Sequence, residues 1–397
     1  MDAPCRVLFV CRYFPPRWNI GAVRSWGLAR YLPQFGWEPV LLLPPLKEGK
    51  WPEEIRIVEA DWYSFAYRAR RLLGFPLPLS RRKLDALVHR EGIKALLSTS
   101  TPMMAHRVGY ALKKTLGLPW MADLRDLWSQ NPFSRQGPLG KWRERREELR
   151  VLAGADALDT VTAPGADQLA ALHRRPVWHI ANGFDPESFR PESVRSDDRF
   201  TLVYTGSVYA GRQSFLPLFK ALAILRLEER LSPDDVVLRI FASPTEELRR
   251  QIRSSGVDDL VVLEGLVPRE QALEAQRCAS ALVLLNWGGS DAEGIMSGKI
   301  FEYLAARRPV LAVGGEATVA TELLARTGTG YHEKDPGALA GLLRRLLREH
   351  RSGGMVYMPR EEEVAVYSQV EMARKFAAVL DAITGKGDAA WVPRALP

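Results

Sequence analysis

Short apolar runs alternate with helical patterns along most of this 397-residue chain. The first run, residues 7–10, leads into a proline-rich loop and then a segment that carries Ala22, Trp26 and Ala29 on one helical face. Continuous apolar runs of this length are typical of strands that are buried on both faces of a parallel sheet. The alternation therefore predicts an α/β fold with a doubly wound sheet. The further strand candidates in this half are residues 40–43, 95–97, 120–122, 157–161 and 177–180.

A polar, proline-bearing stretch after Asn182-Gly183-Phe184-Asp185-Pro186 interrupts the alternation as far as Arg199. The alternation of apolar runs and helical patterns then begins again. The chain is also too long for one ordinary domain. We therefore predict two Rossmann-like domains, residues 1–190 and 191–367. The strand candidates of the second domain are residues 202–205, 236–242, 261–263, 281–285 and 310–313.

The C-terminal segment has the pattern of a capped amphipathic helix. Ser368 and Glu371 have the spacing of a capping box, and Gly385 follows the last apolar position. An apolar stripe needs a surface to cover, so we expect helix 368–385 to pack back on the first domain. Residues 386–397 lack a pattern and are predicted to form a loosely ordered tail. The apolar positions of the stripe are Met372, Phe376, Val379, Leu380 and Ile383.

Composition places the chain among globular proteins, with 46% hydrophobic and 26% charged residues. No apolar stretch approaches the roughly 18 residues of a membrane span, and the start lacks the apolar core of a signal peptide. A cytoplasmic location is therefore expected. The three cysteines, Cys5, Cys11 and Cys278, lack metal-ligand spacing, so neither a zinc site nor a disulfide is expected.

The net charge of +8 suggests an anionic partner. Nucleic acid is disfavoured because no base-reading module is recognisable. Between Trp62 and Lys83, basic and aromatic residues are mixed without an acid. This segment either docks on an anionic membrane surface or is a solvated basic face over buried aromatic residues. Its members are Arg68, Arg70, Arg71, Arg81, Arg82 and Lys83 with Trp62, Tyr63, Phe65, Tyr67 and Phe75.

A cation and a carboxylate stand at the start of a helical pattern that reads Ser297-Gly298-Lys299-Ile300-Phe301-Glu302-Tyr303-Leu304-Ala305. If Ser297 is the N-cap, backbone N–H groups at Gly298 and Lys299 are free to bind an anion. Glu302 lies on nearly the same face and could accept from a pair of hydroxyl groups. A nucleoside diphosphate offers both groups. The alternative is a capping box between Ser297 and Glu302, with Lys299 solvated.

The chain resembles the family-4 glycosyltransferases of the GT-B fold from about residue 6 to residue 383. The most specific motifs are Tyr204-Thr205-Gly206-Ser207, Glu264-Gly265-Leu266-Val267-Pro268 and the segment from Lys299 to Ala305. The resemblance implies two Rossmann-like domains that face each other across a cleft. It also implies sugar transfer, with retained configuration and without a metal or other cofactor. The donor would be a UDP-, GDP- or dTDP-linked sugar, and the acceptor a glycan, a lipid-linked intermediate or a small molecule, as in the synthesis of bacterial surface polysaccharides.

The resemblance also implies a set of donor-binding residues. Glu302 corresponds to the glutamate that binds the donor ribose, and Arg212 to a phosphate-binding cation. The family has its first motif glutamate eight residues before Glu302, where this chain has Gly294. Glu293 and Asp291 are near in sequence and could substitute for it. The full set is Gly21, Gly206, Ser207, Arg212, Glu293, Gly298, Lys299, Ile300 and Glu302.

Candidate catalytic residues follow the 120–122 strand, in Asp123-Leu124-Arg125-Asp126. Open α/β sheets place their ligands at the carboxyl ends of strands. Asp126 could steer or deprotonate an acceptor hydroxyl, and Arg125 could hold a phosphate. The alternative for this segment, which includes Asp123, is a structural ion pair or a helix cap. Many family members carry a histidine at this strand end, where this chain has none. His106 is a separate catalytic candidate, and the alternative for it is a structural role.

Two other functions remain compatible with the sequence. One is a nucleotide-sugar epimerase, which acts on the nucleotide-sugar without a separate acceptor. The other is a non-catalytic GT-B-like protein that binds a nucleotide or a glycan. Gly294 and the absent strand-end histidine keep this second alternative open.

Overall fold

The structure, a computed structural model, describes residues 4–64, 66–68, 77–134, 136–188, 199–289, 294–353 and 357–386. It divides into two compact units, the first formed by residues 1–183 and 368–397 and the second by residues 184–367. The predicted boundary between residues 190 and 191 lies outside the described residues. So does the predicted tail from residue 387 onward.

The first unit contains a seven-stranded parallel sheet with the order β3-β2-β1-β4-β5-β6-β7. Its apolar runs form strands as predicted. The sequence missed β3, which is short, polar at both ends and only half-buried at the edge of the sheet. The strands are β1 (Cys5–Val10), β2 (Trp37–Leu43), β3 (Arg56–Glu59), β4 (Ile93–Thr99), β5 (Trp120–Leu124), β6 (Ala157–Thr160) and β7 (Trp178–His179).

The second unit contains a six-stranded parallel sheet with the order β10-β9-β8-β11-β12-β13. In each sheet the strand order reverses beside the first strand of the unit, at β1 and β4 and again at β8 and β11. Ligands of open α/β sheets bind at such reversal points, beyond the carboxyl ends of the strands. The strands are β8 (Phe200–Thr205), β9 (Val236–Phe241), β10 (Val261–Leu263), β11 (Ala281–Leu285), β12 (Val310–Val313) and β13 (Gly330–Glu333).

Helices connect the strands and cover the sheets. Those of the first unit include α1 (Ile20–Tyr31), α2 (Arg81–Glu91), α3 (Met104–Leu116), α4 (Pro138–Leu152) and α5 (Ala163–His173). Those of the second unit include α6 (Leu216–Glu229), α7 (Glu246–Arg253), α8 (Arg269–Cys278), α9 (Lys299–Ala306), α10 (Val319–Thr327), α11 (Pro336–Arg351) and α12 (Glu361–Ala365). Within the described ranges, none of the helices is both long and apolar enough to cross a membrane.

The C-terminal helix α13 (Gln369–Thr384) belongs to the first unit and packs against α1. The Ser368 hydroxyl accepts from the Glu371 N–H at 3.1 Å, and the helix ends at Gly385 with a φ of 71°. Phe376 and Leu380 are fully buried in the same core as β1. Burial of each such side chain stabilises a fold by about 1.5–3 kcal/mol. Two Rossmann-like units, with the C-terminal helix packed on the first, are thus confirmed.

Candidate functional site

Helix α9 begins one residue later than predicted, at Lys299, with Gly298 as its N-cap and no side-chain cap. The Ser297 carbonyl instead accepts from the Ile300 N–H at 3.2 Å in the turn before the helix. The predicted Ser297 cap is therefore wrong. The capping box is also wrong, because the Glu302 carboxylate has other partners.

The Lys299 side chain reaches back to the end of β8. Its ammonium donates to the Tyr204 hydroxyl at 2.6 Å and to the Ser207 carbonyl at 2.9 Å. Burial lowers the pKa of Lys299 to about 8, although the nearby Glu302 carboxylate acts in the opposite direction. In a substantial fraction of the molecules, Lys299 is therefore neutral at slightly alkaline pH.

Gly206 makes room for this lysine. Its φ of 100° is in the region that favours glycine, and a Cβ there would lie 2.5 Å from Lys299 Cε. Four residues predicted to bind the donor, Gly206, Ser207, Lys299 and Glu302, are therefore grouped between the end of β8 and the first turn of α9. Tyr204 belongs to one of the sequence motifs, but the sequence does not predict its contact with the lysine.

The Glu302 carboxylate faces helix α8. It accepts from Arg269 at 2.8 Å and from Gln276 at 3.5 Å, and its side chain is 26% exposed. Gln276 also donates to the Thr205 hydroxyl at 2.8 Å. These contacts fix the carboxylate and leave part of it accessible to a hydroxyl donor. Sequence reasoning missed Arg269 and Gln276, which lie on a different helix.

Arg212 joins the loop after β8 to the loop after β11. The Gly288 N–H donates to the Arg212 carbonyl at 2.8 Å, and the arginine side chain donates to the Gly288 carbonyl at 3.4 Å. Both residues line a cavity of about 630 Å³ within the second unit. Glu293 and Asp291, the possible substitutes for the family's first glutamate, lie outside the described residues. In the described part of the chain, no three His, Cys, Asp or Glu side chains are grouped to hold a metal ion.

Asp123, at the end of β5, is fully buried in the first unit. Arg24 donates to its two carboxylate oxygens at 2.9 and 3.0 Å, and Thr99 donates at 2.6 Å. Arg24 also donates to Asp159 at 3.1 Å. Burial and the neighbouring Asp123 raise the pKa of Asp159 well above its usual range. Asp123 therefore forms the structural ion pair that was the alternative interpretation, which favours a structural over a catalytic role.

Arg125 and Asp126 follow the carboxyl end of β5. Arg125 donates to Asp126 and to the Thr101 hydroxyl, both at 3.0 Å, and to the Ser100 carbonyl at 3.1 Å. The Arg125 side chain is 9% exposed, whereas that of Asp126 is 45% exposed. A fixed guanidinium therefore supports an accessible carboxylate.

Gly21 lies beside this pair. A Cβ at Gly21 would be 3.4 Å from the guanidinium carbon of Arg125 and 3.2 Å from the Asn19 side chain, which caps α1. The structure thus groups Gly21, Arg125 and Asp126, three of the predicted site residues, where the loops after β1, β4 and β5 meet. A Cβ at Gly21 would be tight against the Asn19 side chain and would touch the guanidinium at van der Waals distance.

His106 is fully buried. Its Nδ1 lies 2.9 Å from the Ser98 hydroxyl, which accepts from the Trp120 indole at 2.9 Å. Burial lowers the pKa of His106 to about 4, which fits the structural interpretation.

The predicted membrane segment, residues 62–83, is partly internal. Trp62 and Tyr67 are fully buried, and Arg81 pairs with Asp85 at 3.1 Å. Trp62 and Tyr67 therefore agree with the alternative in which the aromatic residues of this segment are buried. Its members Phe65, Arg70, Arg71 and Phe75 lie outside the described residues.

Two family models match most of the sequence. One, described as a glycosyl transferase 4-like domain, matches residues 21–183. The other, described as glycosyl transferases group 1, matches residues 199–349. None of the curated proteins compared matches the chain.

Solved structures share the fold at low identity. A glycosyltransferase from Rickettsia africae ESF-5 has a TM-score of 0.66 at 13% identity, with 97% of this chain and 100% of that chain covered. HepE from Anabaena, in complex with UDP, has a TM-score of 0.64 at 14% identity, with 95% and 100% covered. A Listeria monocytogenes protein described as a UDP-N-acetylglucosamine 2-epimerase has a TM-score of 0.61 at 12% identity, with 97% and 98% covered. The two family models, which span both units, decide the assignment: this chain belongs to the family-4-like glycosyltransferases of the GT-B fold, and it is an enzyme of that class.

Proposed function

We propose that the protein transfers a hexosyl group from a UDP-, GDP- or dTDP-linked sugar to a hydroxyl group of an acceptor. The observation that carries this proposal is the placement of Lys299 against Tyr204 and Gly206, with Glu302 one turn further along α9. A diphosphate needs a cation and close backbone approach, and a ribose needs a hydrogen-bond acceptor. The Anabaena HepE structure, which shares this fold, contains UDP.

In this proposal the second unit holds the donor. Lys299 and Arg212 stabilise the negative charge that develops on the departing diphosphate, and no metal ion takes part. Glu302 accepts hydrogen bonds from the ribose hydroxyls. The loop after β8 includes Ser207, and the start of α9 includes Gly298 and Ile300. Glu293 remains a proposed contact to the donor sugar.

The first unit supplies the groups that act on the acceptor. The acceptor oxygen forms a bond to the anomeric carbon, while the bond between that carbon and the diphosphate oxygen breaks and its electron pair leaves with the diphosphate. Asp126 steers the acceptor hydroxyl and takes its proton, and Arg125 keeps the carboxylate in place. Gly21 carries no side chain that would fill the space beside this pair. We propose that the acceptor oxygen approaches from the face on which the diphosphate leaves, so that the anomeric configuration is retained.

The acceptor in this proposal is a glycan, a lipid-linked intermediate or a small molecule, and the reaction belongs to polysaccharide biosynthesis in the cytoplasm. The positive net charge of the chain supports an acidic substrate or an anionic surface, and nucleic acid is not proposed.

Thermal stabilisation by a panel of nucleotide-sugars, followed by measurement of nucleotide release with candidate acceptors, tests the proposal. We expect at least one UDP-, GDP- or dTDP-sugar to raise the Tm, because a ligand that binds only the folded state stabilises it. We also expect nucleoside diphosphate to be released only when an acceptor is present. Conversion of the donor without an acceptor would support the epimerase, whose fold this chain shares. Stabilisation without any reaction would support the non-catalytic alternative.

A further inference from the structure

Helix α4 presents apolar side chains to solvent on the side opposite its buried face. Leu139, Trp142 and Leu149 are 60%, 53% and 37% exposed, whereas Val151 and Leu152 are buried. At about 100° per residue, the three exposed side chains lie within about 80° of one another around the helix axis. They therefore form one stripe on the outward side.

The acidic residues of α4 lie on its inward half. Glu148 is buried and accepts from the Ser129 N–H at 2.9 Å. Glu147 pairs with Arg107 at 2.6 Å. Glu144 accepts from the Gln136 side chain at 2.5 Å. Each carboxylate is thus engaged within the first unit.

The arginines of α4 lie on the outward half, where they border the apolar stripe. Arg146 lies over the Trp142 ring, 5.0 Å from its centroid. Arg150 is 4.0 Å from Glu147, so its charge is only weakly compensated. The outward face of this fully described helix therefore combines apolar and cationic groups and carries no acid. We call it the docking face, formed by Leu139, Trp142, Arg143, Arg145, Arg146, Leu149 and Arg150.

We propose that the docking face binds an anionic lipid surface. A tryptophan and two leucines can enter the boundary between headgroups and acyl chains, and the surrounding arginines can pair with lipid phosphates. Charge complementarity favours this partner, because the outward side of the described helix carries four arginines and no acid. The docking face replaces residues 62–83 as the site of membrane contact.

The docking face is connected to the site of Asp126. Ser129, three residues after Asp126, donates to Glu148 on the inward side of α4. Membrane contact would therefore hold the Arg125 and Asp126 pair close to the lipid surface, where a lipid-linked acceptor is found. This consequence rests on the proposed function, whereas lipid binding itself does not.

Co-sedimentation with vesicles tests the proposal, using phosphatidylcholine alone or mixed with phosphatidylglycerol. No donor or acceptor is present, so failure of this test leaves the proposed sugar transfer unaffected. The wild type should bind the phosphatidylglycerol vesicles, and added salt should weaken the binding. We expect Leu139→Ser with Trp142→Ser to reduce the affinity by about tenfold or more, with an unchanged Tm because both side chains are exposed.

A matched pair of charge variants locates the surface. Arg143→Gln, Arg145→Gln and Arg146→Gln together should reduce vesicle affinity by about tenfold or more. The control removes the same charge from the earlier candidate segment, with Arg81→Gln, Arg82→Gln and Lys83→Gln, and should leave most of the affinity. An equal loss in both variants would show that overall charge decides and would overturn the assignment of the docking face.

Two other outcomes would also overturn the proposal. One is an absence of vesicle binding by the wild type. The other is self-association of the wild type that depends on concentration in sedimentation velocity and is abolished by Trp142→Ser, while the variant still binds vesicles. This result would assign the docking face to a second copy of the chain.

Discussion

The ammonium of Lys299 rests against Tyr204, 2.6 Å from the hydroxyl oxygen and 4.4 Å from the ring centroid. Its other hydrogen-bond partner, the Ser207 carbonyl, is also uncharged. Burial raises the pKa of the Tyr204 hydroxyl, so this group stays neutral. Among the described residues, none of the carboxylates is hydrogen-bonded to this ammonium. A bound diphosphate can complete this arrangement.

The first prediction concerns nucleotide affinity. Lys299→Met should weaken binding of the free nucleoside diphosphate by roughly tenfold to a hundredfold, because a charge-assisted hydrogen bond contributes about 1.5–3 kcal/mol. The fold should not lose stability, since a partly buried charge is removed. Calorimetric titration and a thermal melt measure the two effects. Lys334→Met is the matched control, because this exposed lysine pairs with Glu316 in the same unit and should keep full affinity. Equal affinity for Lys299→Met and Lys334→Met would remove the lysine from the site.

The second prediction concerns pH. The pKa of Lys299 is lowered to about 8 in the free protein, and a bound anion should raise it because it stabilises the charged form. Binding at pH 8–9 should therefore take up part of a proton, and affinity should fall as the pH rises above about 8. Calorimetry in two buffers of different ionisation enthalpy measures the uptake. The Lys299→Met variant should show neither effect, and uptake that persists in it would assign the proton to another group.

The third prediction concerns the ribose. If Glu302 accepts from the ribose hydroxyls, the wild type should bind a ribose diphosphate more tightly than its 2′,3′-dideoxy analogue. In Glu302→Gln this preference should shrink by about tenfold, because a neutral amide accepts more weakly than a carboxylate. Competition binding with the two nucleotides gives the ratio directly. A preference that is equal in both proteins would leave Glu302 with only its contacts to Arg269 and Gln276.

The fourth prediction separates two aspartates that lie three residues apart. Asp123→Asn disrupts a buried ion pair and should reduce the free energy of unfolding by about 3–5 kcal/mol. Asp126→Asn changes an accessible carboxylate and should cost less than about 1 kcal/mol, but it should slow transfer by about a hundredfold or more. Urea denaturation and a transfer assay measure the two effects. A stable, inactive Asp123→Asn protein would return Asp123 to the catalytic site.

The apolar runs of the sequence predicted most strands of both sheets because a buried parallel strand needs a continuous apolar stretch. Strands β3 and β13 were missed, since each lies at the edge of its sheet and is only partly buried. The N-cap was misplaced by one residue because Ser297 and Gly298 both suit the start of a helix. Such boundaries depend on the turn before the helix, which residue preferences do not fix.

The partners of the site residues were the least predictable part. Arg24 lies 99 residues from Asp123, and Arg269 lies 33 residues from Glu302. Sequence spacing carries no information about these pairs, because the order of strands in the sheet brings them together.

The proposed reaction is the transfer of a sugar from a nucleotide-sugar to an acceptor. The most direct measurement uses the nucleotide-sugar that stabilises the protein, labelled with ¹³C at its anomeric carbon and mixed with glycan, lipid-linked and small-molecule acceptors. We expect the anomeric signal to move from sugar phosphate to glycoside, with one nucleoside diphosphate released for each glycoside formed. This signal change should be lost in Asp126→Asn. A label that stays on the nucleotide while the sugar changes its configuration, or a donor that remains unchanged with every acceptor, would contradict the proposed transfer.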